Sequence, residues 1–458
     1  MAKAHGWEVD AEVRKGLPAM DLTGVVLYQK YAADRELQAQ RRLWDEVIDE
    51  RPFEALYAEA GRPAWPVGVL IRACLLQREK GWHDRQLVAE MQDNQRVRYL
   101  VGLPVGVLQV RAPCRSVLSD FRRRVVAAGL QKCLLEQQVG WIVGQGLIDP
   151  AGDDFALDAT RQESAAAQPT VIGLLQHGMR RVLLAWRLQA PVAAEAAAER
   201  IRIPEYLAKR FQRCAHGLRS RAGRRLWRKA YRQAERLLEL LPDKQGAALG
   251  EAVGLLRQVM AERGPDGTNR PPDRLTNVVD PDARFGCKGQ GSHLLTWQGY
   301  RVSLLSHCPT DLIVDFEHQA ASHGEPEVLP PMLRRATDLL GGVPGRTHAD
   351  GAYTGCQSRR TATGLGTDLV GPRRGRRQRG RVPGGGHVAS RADRGVRAEV
   401  ERVHAHLVRW RHNRRSWYLR QPKAALQTAL SCCAANFVRL LSLLRRGELT
   451  LAGPPAAA

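Results

Sequence analysis

Apolar residues recur at helical spacing through the first 150 positions of the chain. From Pro66 to Lys80, Val67, Val69, Leu70, Ile71, Ala73, Cys74, Leu75 and Leu76 leave few polar faces, and Pro66 suits a first turn. Asp84 to Tyr99 sets Leu87, Val88, Met91 and Val97 on one face. After Ser116, Val117, Leu118, Phe121 and Val125 make a further stripe. At Asp154 the pattern changes to short strands. The first is Phe155 to Ala159. Tyr300 to Leu305 and Leu312 to Phe316 read as a hairpin turning around Pro309-Thr310-Asp311. Pro330 to Leu340 reads as a helix, Arg346 to Tyr353 as a strand, and Asp368-Leu369-Val370 as a short last strand.

Between the first strand and the hairpin the period reverts to helix, over Ala193 to Arg202, Glu205 to Arg219 and Arg224 to Leu241, with basic outer faces. Gly264-Pro265-Asp266-Gly267 and Pro271-Pro272 close this insertion. Gly371 to Gly395 is Arg/Gly-rich, with almost no apolar residues, and reads as a flexible basic loop. Helix resumes near Ala398 through Arg411. A last helix, Pro422 to Arg445, aligns Leu426, Leu430, Cys433, Phe437, Leu440, Leu441 and Leu444. The fold class is therefore α/β, a mixed-sheet core with an α-helical insertion and an all-α N-terminal domain. The expected boundaries are 1–150 for the helical domain and 151–445 for the core. The insertion covers about 163–272, the loop 371–395, and a disordered tail 446–458.

Charge changes the picture. Seventy Lys and Arg face 47 Asp and Glu, a net +23, with pI near 10.3. Such an excess repels itself unless a polyanion offsets it, and nucleic acid gains further by releasing counterions. Arg122, Arg123 and Arg124, projecting from the stripe after Ser116, are candidate phosphate contacts of a helical DNA reader. The same helices also fit a packing or dimerisation domain with a charged outer face. The nine cysteines are scattered and never spaced as CxxC, which argues against a zinc site or a disulfide framework. No signal segment or membrane-length apolar run is expected, so the reading is a cytoplasmic, nucleoid-associated protein.

Two aspartates sit at ends of short apolar runs: Asp158 after Ala156-Leu157, and Asp350 after Ala349. Glu401 lies on the basic C-terminal helix, beside a stripe of Val396, Val400, Val403, Leu407 and Trp410. Glu399 competes with it, because the preceding loop gives no register. Carboxylates crowd together only when something neutralises them. Two divalent cations would do so while activating the attacking oxygen and stabilising the leaving one in phosphoryl transfer. Taken singly, each acid also reads as a cap or a surface residue.

In combination these blocks resemble the insertion-sequence DDE transposases with a helical N-terminal transposase domain and an RNase H-like catalytic core. Arg62-Pro63-Ala64-Trp65-Pro66 through Leu103-Pro104, and Phe121-Arg122-Arg123-Arg124-Val125 with Gly129-Leu130, are similar to the helical domain. Leu157-Asp158-Ala159-Thr160 looks like the first-aspartate segment, Asp350-Gly351-Ala352-Tyr353 the second, and Val400-Glu401-Arg402 with Trp410 and Tyr418 the glutamate helix. Asp280-Pro281-Asp282-Ala283-Arg284 and Gly299-Tyr300 resemble the approach to the second strand, and Ala434-Ala435-Asn436 the closing helix. The resemblance implies Asp158, Asp350 and Glu401 as catalytic residues and as ligands of two Mg²⁺ or Mn²⁺ ions. It also implies DNA cleavage and strand transfer, with terminal inverted repeats and target DNA as double-stranded partners and a homodimer in the DNA complex. Arg409, two turns beyond Glu401, is a further candidate phosphate contact. The stretch before Glu401 is shorter than the resemblance calls for. The alternative is an inactive, decayed transposase that only binds DNA.

Overall fold

The computed structural model describes residues 22–58, 64–106, 111–209, 211, 214, 217–289, 292, 294–372 and 385–451. Residues 373–384 of the expected Arg/Gly-rich loop and the end of the expected tail lie outside the described residues. Eight helices come first among them: α1 (Leu22–Ala33), α2 (Arg35–Val47), the single turn α3 (Arg51–Glu54), α4 (Val67–Lys80), α5 (Asp84–Asp93), α6 (Gln95–Val101), α7 (Arg115–Ala127) and α8 (Cys133–Gly144). Local chemistry sets several ends. The Asp34 carboxylate accepts the Glu36 and Leu37 N–H groups at the start of α2, and Asn94 does the same for α6. Gly81 ends α4 in the left-handed conformation.

The sheet contains β1 (Asp154–Glu163), β2 (Arg284–Lys288), β3 (Leu295–His307), β4 (Leu312–Ala320), β5 (Arg346–Ala349), β6 (Asp368–Gly371) and the short β7 (His387–Val388). Its order is β2-β3-β1-β5-β6-β7, with β4 also paired to β3. β1 and β4 run antiparallel to β3, whereas β5 is parallel to both β1 and β6. The expected strands are present, but the one expected over Arg346 to Tyr353 ends at Ala349 and gives way to a turn. β3 starts earlier than its apolar run because Gly299 lets the backbone of β1 approach. A Cβ there would stand 2.2 Å from the Gln162 carbonyl oxygen, and its φ of +155° disfavours side chains. Helix α13 (Leu329–Leu340) follows β4, and α14 (Cys356–Gly364) links β5 to β6.

Two long helices close the chain, α15 (Arg391–Trp410) and α16 (Gln421–Arg446). α15 begins seven residues before the expected Ala398. The Ser390 hydroxyl accepts the Asp393 N–H while the Asp393 carboxylate accepts the Ser390 N–H, a reciprocal cap. α16 is long and apolar enough by composition to cross a membrane, nearer to a span than the sequence suggested, but it is buried inside the protein. It touches α4, α7, α8 and β4. Leu37, Trp44, Leu70, Phe121 and Leu135 from the N-terminal helices join Phe155, Leu304, Ile313 and Phe316 from the sheet, and Leu430, Phe437 and Leu440 from α16, in one apolar core. Asn436 ties α16 to the sheet: its side chain accepts the Ile313 N–H and donates to the Ile313 carbonyl, both at 2.8 Å.

The insertion has a core of its own, built on α9 (Val171–Gln189), α10 (Pro191–Arg200), α11 (Arg221–Glu239) and α12 (Ala247–Arg263) around Leu175, Met179, Trp227, Leu237 and Leu256. Among the described residues of the helix expected over Glu205 to Arg219, a 3₁₀ turn spans Pro204–Leu207 and no α-helix is present. Arginines on α9 take the carbonyls a helix would need. Arg180 binds those of Tyr206 and Ala208, and Arg187 that of Leu207.

Asn436→Ala removes both links to Ile313 and leaves a buried backbone donor and acceptor unpaired. The expected loss is about 2–4 kcal/mol of unfolding free energy, read as a lower urea midpoint. An unchanged midpoint would refute a structural role for this clip.

Candidate active site

β1 and β5 are neighbours in parallel register, with Leu157 opposite Ala349. Asp158 and Asp350 each follow that last pair, so two residues remote in sequence stand side by side where β5 ends against the middle of β1. Phe155, Ala156, Leu157 and Ala349 are buried beneath them. The Asp158 carboxylate accepts the adjacent Ala159 N–H at 2.7 Å. Asp350 accepts the Ala352 N–H at 2.8 Å, and its carbonyl accepts the Tyr353 N–H, which curls the chain away after β5. Tyr353 turns its ring into the core, with its hydroxyl 2.9 Å from Ser303 Oγ on β3. Burial pushes that phenol well up, and the nearby charges of Glu325, Asp158 and Asp350 add to this.

α15 lies over β1 and β5. Val403, His404 and Leu407 point inward, and His404 Nε2 stands 4.0 Å from Asp158 Oδ2. Glu401 is one turn earlier on the same side of the helix and is exposed. Burial pulls His404 below its usual value, while the charges of Asp158 and Glu401 oppose that pull. The side chain of Glu399 lies outside those described.

Glu325, which sequence reasoning missed, joins this group from the 3₁₀ turn Glu325–Val328 after β4. Burial raises its carboxyl. Arg301, 3.4 Å away, opposes this, and the charges of Asp350 and Asp158 reinforce it. No spacing in the sequence ties Glu325 to either aspartate, because only the β3–β4 hairpin brings it there. Among the described residues, no group of three or more His, Cys, Asp and Glu side chains is gathered closely enough to hold a metal ion. The arrangement is two adjacent aspartates with a third acid on an overlying helix and a fourth at the rim.

The arginine cluster departs from the expectation that all three side chains project outward. Arg122 is buried. It pairs with Asp84 at 2.5 Å, donates to Gln77 Oε1 at 3.1 Å, and stacks 5.3 Å from the Tyr418 ring. It is therefore a packing residue, withdrawn from any phosphate. Arg123 and Arg124 both pair with Asp120, and Arg124 also holds the Leu56 carbonyl. Arg409 is exposed in the last turn of α15.

A family model described as Transposase domain (DUF772) matches residues 27–124, which run from α1 into α7. This stretch is similar to transposases. No curated protein and no solved structure matches the chain. The transposase domain thus covers the helices around α16 and none of Asp158, Asp350 or Glu401. Its link to the site is physical. Arg78 on α4 donates to Ser431 Oγ on α16 and to the carbonyls of Arg411 and His412, and it stacks 4.2 Å from the Trp417 ring. The transposase domain therefore grips the segment that joins α15 to α16.

That segment also locks the far end of β1. Glu163 N–H donates to the Arg414 carbonyl, and Ser416 N–H to the Glu163 carbonyl. Beneath them, Gln162 Nε2 donates to Asn413 Oδ1 at 2.7 Å, while its Oε1 accepts from His318 Nε2 at 2.9 Å. Burial lowers His318 to about 3 from its ordinary 6.5. The unfolded chain therefore binds the extra proton first on acidification, and stability falls as pH drops below 6.5. At pH 5 the cost from His318 is about 2 kcal/mol. Urea unfolding at pH 7 and pH 5 should show this loss, and His318→Gln should reduce the difference by about that amount. An equal pH dependence in the variant would contradict the buried neutral imidazole.

Proposed function

We propose that this protein is a DDE transposase with an RNase H-like core, one that cuts DNA at the ends of an insertion sequence and joins the freed 3′-hydroxyl to target DNA. The observation that carries the reading is the parallel pairing of β1 with β5, which sets Asp158 beside Asp350 under the helix that bears Glu401. The transposase-domain match supports it from a separate part of the chain.

The residues fit hard divalent cations. Asp158 and Asp350 offer only oxygen donors, and Mg²⁺ is commonly held by one or two carboxylates together with substrate phosphates rather than by a closed protein cage. Asp158, Asp350 and Glu401 would hold the ions. When bound, two such ions would activate the attacking oxygen and stabilise the leaving one. The protein's own part is positioning. The middle of β1 and the end of β5 fix the aspartates, while His404, held below its usual value by burial, stands 4.0 Å from the Asp158 carboxylate. Glu401 on the exposed edge of α15 lies where DNA can reach it. Arg409, further along that helix, would meet a flanking phosphate. Two element ends must be joined in one complex, so a homodimer on DNA and a cytoplasmic, nucleoid-associated location belong to the same reading.

The test is nicking of supercoiled plasmid carrying the element's flanks, in Mn²⁺ or EDTA. Wild type should cut only with metal. Asp158→Asn and Asp350→Asn should each lower the rate more than about a hundredfold, because several kcal/mol of metal-borne stabilisation is lost, while still binding DNA. Undiminished cutting by both variants would sink the assignment.

A further inference from the structure

Away from the acid cleft, the N-terminal ends of α9 and α11 open on a cavity of about 670 Å³. Thr170 and Ser220, the residues that cap those two helices, line it together with Arg219, Arg263, Arg270 and Arg274. Four arginines at one cavity need an explanation. Among the described residues none of them forms an ion pair with a carboxylate. The Glu262 charge offsets that of Arg263 in part, while its two oxygens accept from Gln258 Nε2 and from the Leu275 N–H.

Arg263 is the most informative of the four. It is only 4% exposed, and its one hydrogen bond among the described residues is a 3.3 Å contact to the Leu275 carbonyl. Its Nε is buried with no partner, as is that of Arg274. Burial, then the neighbouring Arg274 charge, brings its guanidinium down to about 10. A buried guanidinium facing other guanidinia is costly unless an anion completes the group. Helix N-termini favour the same sign of ligand.

The cavity continues into a basic track. On α11, Arg221, Arg225, Arg228 and Arg232 are exposed at intervals of four, three and four residues, while Trp227, Ala230, Ala234 and Leu237 on the opposite face are buried. At 1.5 Å per residue the track is about 16 Å long, the axial span of four or five phosphates on one DNA strand. It starts at Ser220, on the cavity wall.

We propose that the helical insertion is a second DNA-binding surface, with a backbone phosphate seated among Arg219, Arg263, Arg270 and Arg274 and the flanking strand lying along the basic face of α11. This surface needs no metal and none of Asp158, Asp350 or Glu401, so it goes beyond the cleavage reading.

The test measures binding of full-length protein to a fluorescent duplex in EDTA across a salt series. The variants are Arg219→Gln/Arg270→Gln, both exposed and harmless to folding, and the buried Arg263→Gln, with circular dichroism as a fold check. Each lost phosphate contact should reduce the slope of log K against log salt by about 0.9. Arg219 and Arg270 share one phosphate, so the double variant should lose about 0.9 of slope and bind at least tenfold more weakly. Arg445→Gln, remote and paired with Glu36, should bind as wild type does, and because every measurement is made in EDTA, cleavage and this surface fail separately. Inorganic phosphate, followed by thermal shift, provides the other arm. An unchanged slope in the folded double variant overturns the proposal. If phosphate raises the melting temperature of wild type alone while the slope stays unchanged, the cavity takes a small phosphate ligand and the DNA assignment is overturned.

Discussion

The structure depends on β1 being paired on both edges. Its antiparallel bond to β3 and parallel bond to β5 bring together segments separated by the whole insertion. Register there is held by burial: Phe155 and Leu157 are enclosed in the core, and a slip of one residue would exchange the two faces of the strand. Gly299 adds a steric condition, since any side chain would strike the backbone of β1. Asp158 is thus fixed by the packing beneath it, and Asp350 inherits its place through the pairing of Leu157 with Ala349.

The other half of the site is set from a distance. α15 bears Glu401 and His404, and its connection to α16 is gripped by Arg78 and reinforced by the Arg122–Tyr418 contact. Burial lowers Arg78 to about 10, and three protein oxygens compensate for the lost water. The transposase domain and the acid-bearing sheet share one apolar core through α16. A change in the N-terminal helices can therefore reach the overlying helix without touching an acid.

The sequence made the elements legible where a period was strong. The strands at Asp158 and Asp350 and the stripe of α16 could be read from alternating or helical apolar spacing. What escaped was long-range or depended on backbone partners. α15 began early because Ser390 and Asp393 cap one another, a signal present in the sequence but inside a stretch read as loop. Arg122 turned inward because Asp84, on another helix, was its partner. At the start of the helix expected over Glu205 to Arg219, arginines of α9 hold the carbonyls of Tyr206, Leu207 and Ala208 instead. Glu325 reached the aspartates only through the hairpin. Of the site, the two strand aspartates were legible from their apolar runs, while the backing by His404 and the rim acid were not.

The central claim is that Asp158, Asp350 and the Glu401 helix form one cation-binding site. Iron(II) substituted for Mg²⁺ in the DNA complex, then treated with ascorbate and peroxide, cuts a polypeptide chain close to the bound metal. Three cuts are expected in wild type, near residues 158, 350 and 401, all lost with excess Mg²⁺ and in Asp158→Asn. Cuts confined to other segments, or a pattern indifferent to Asp158→Asn, would contradict it.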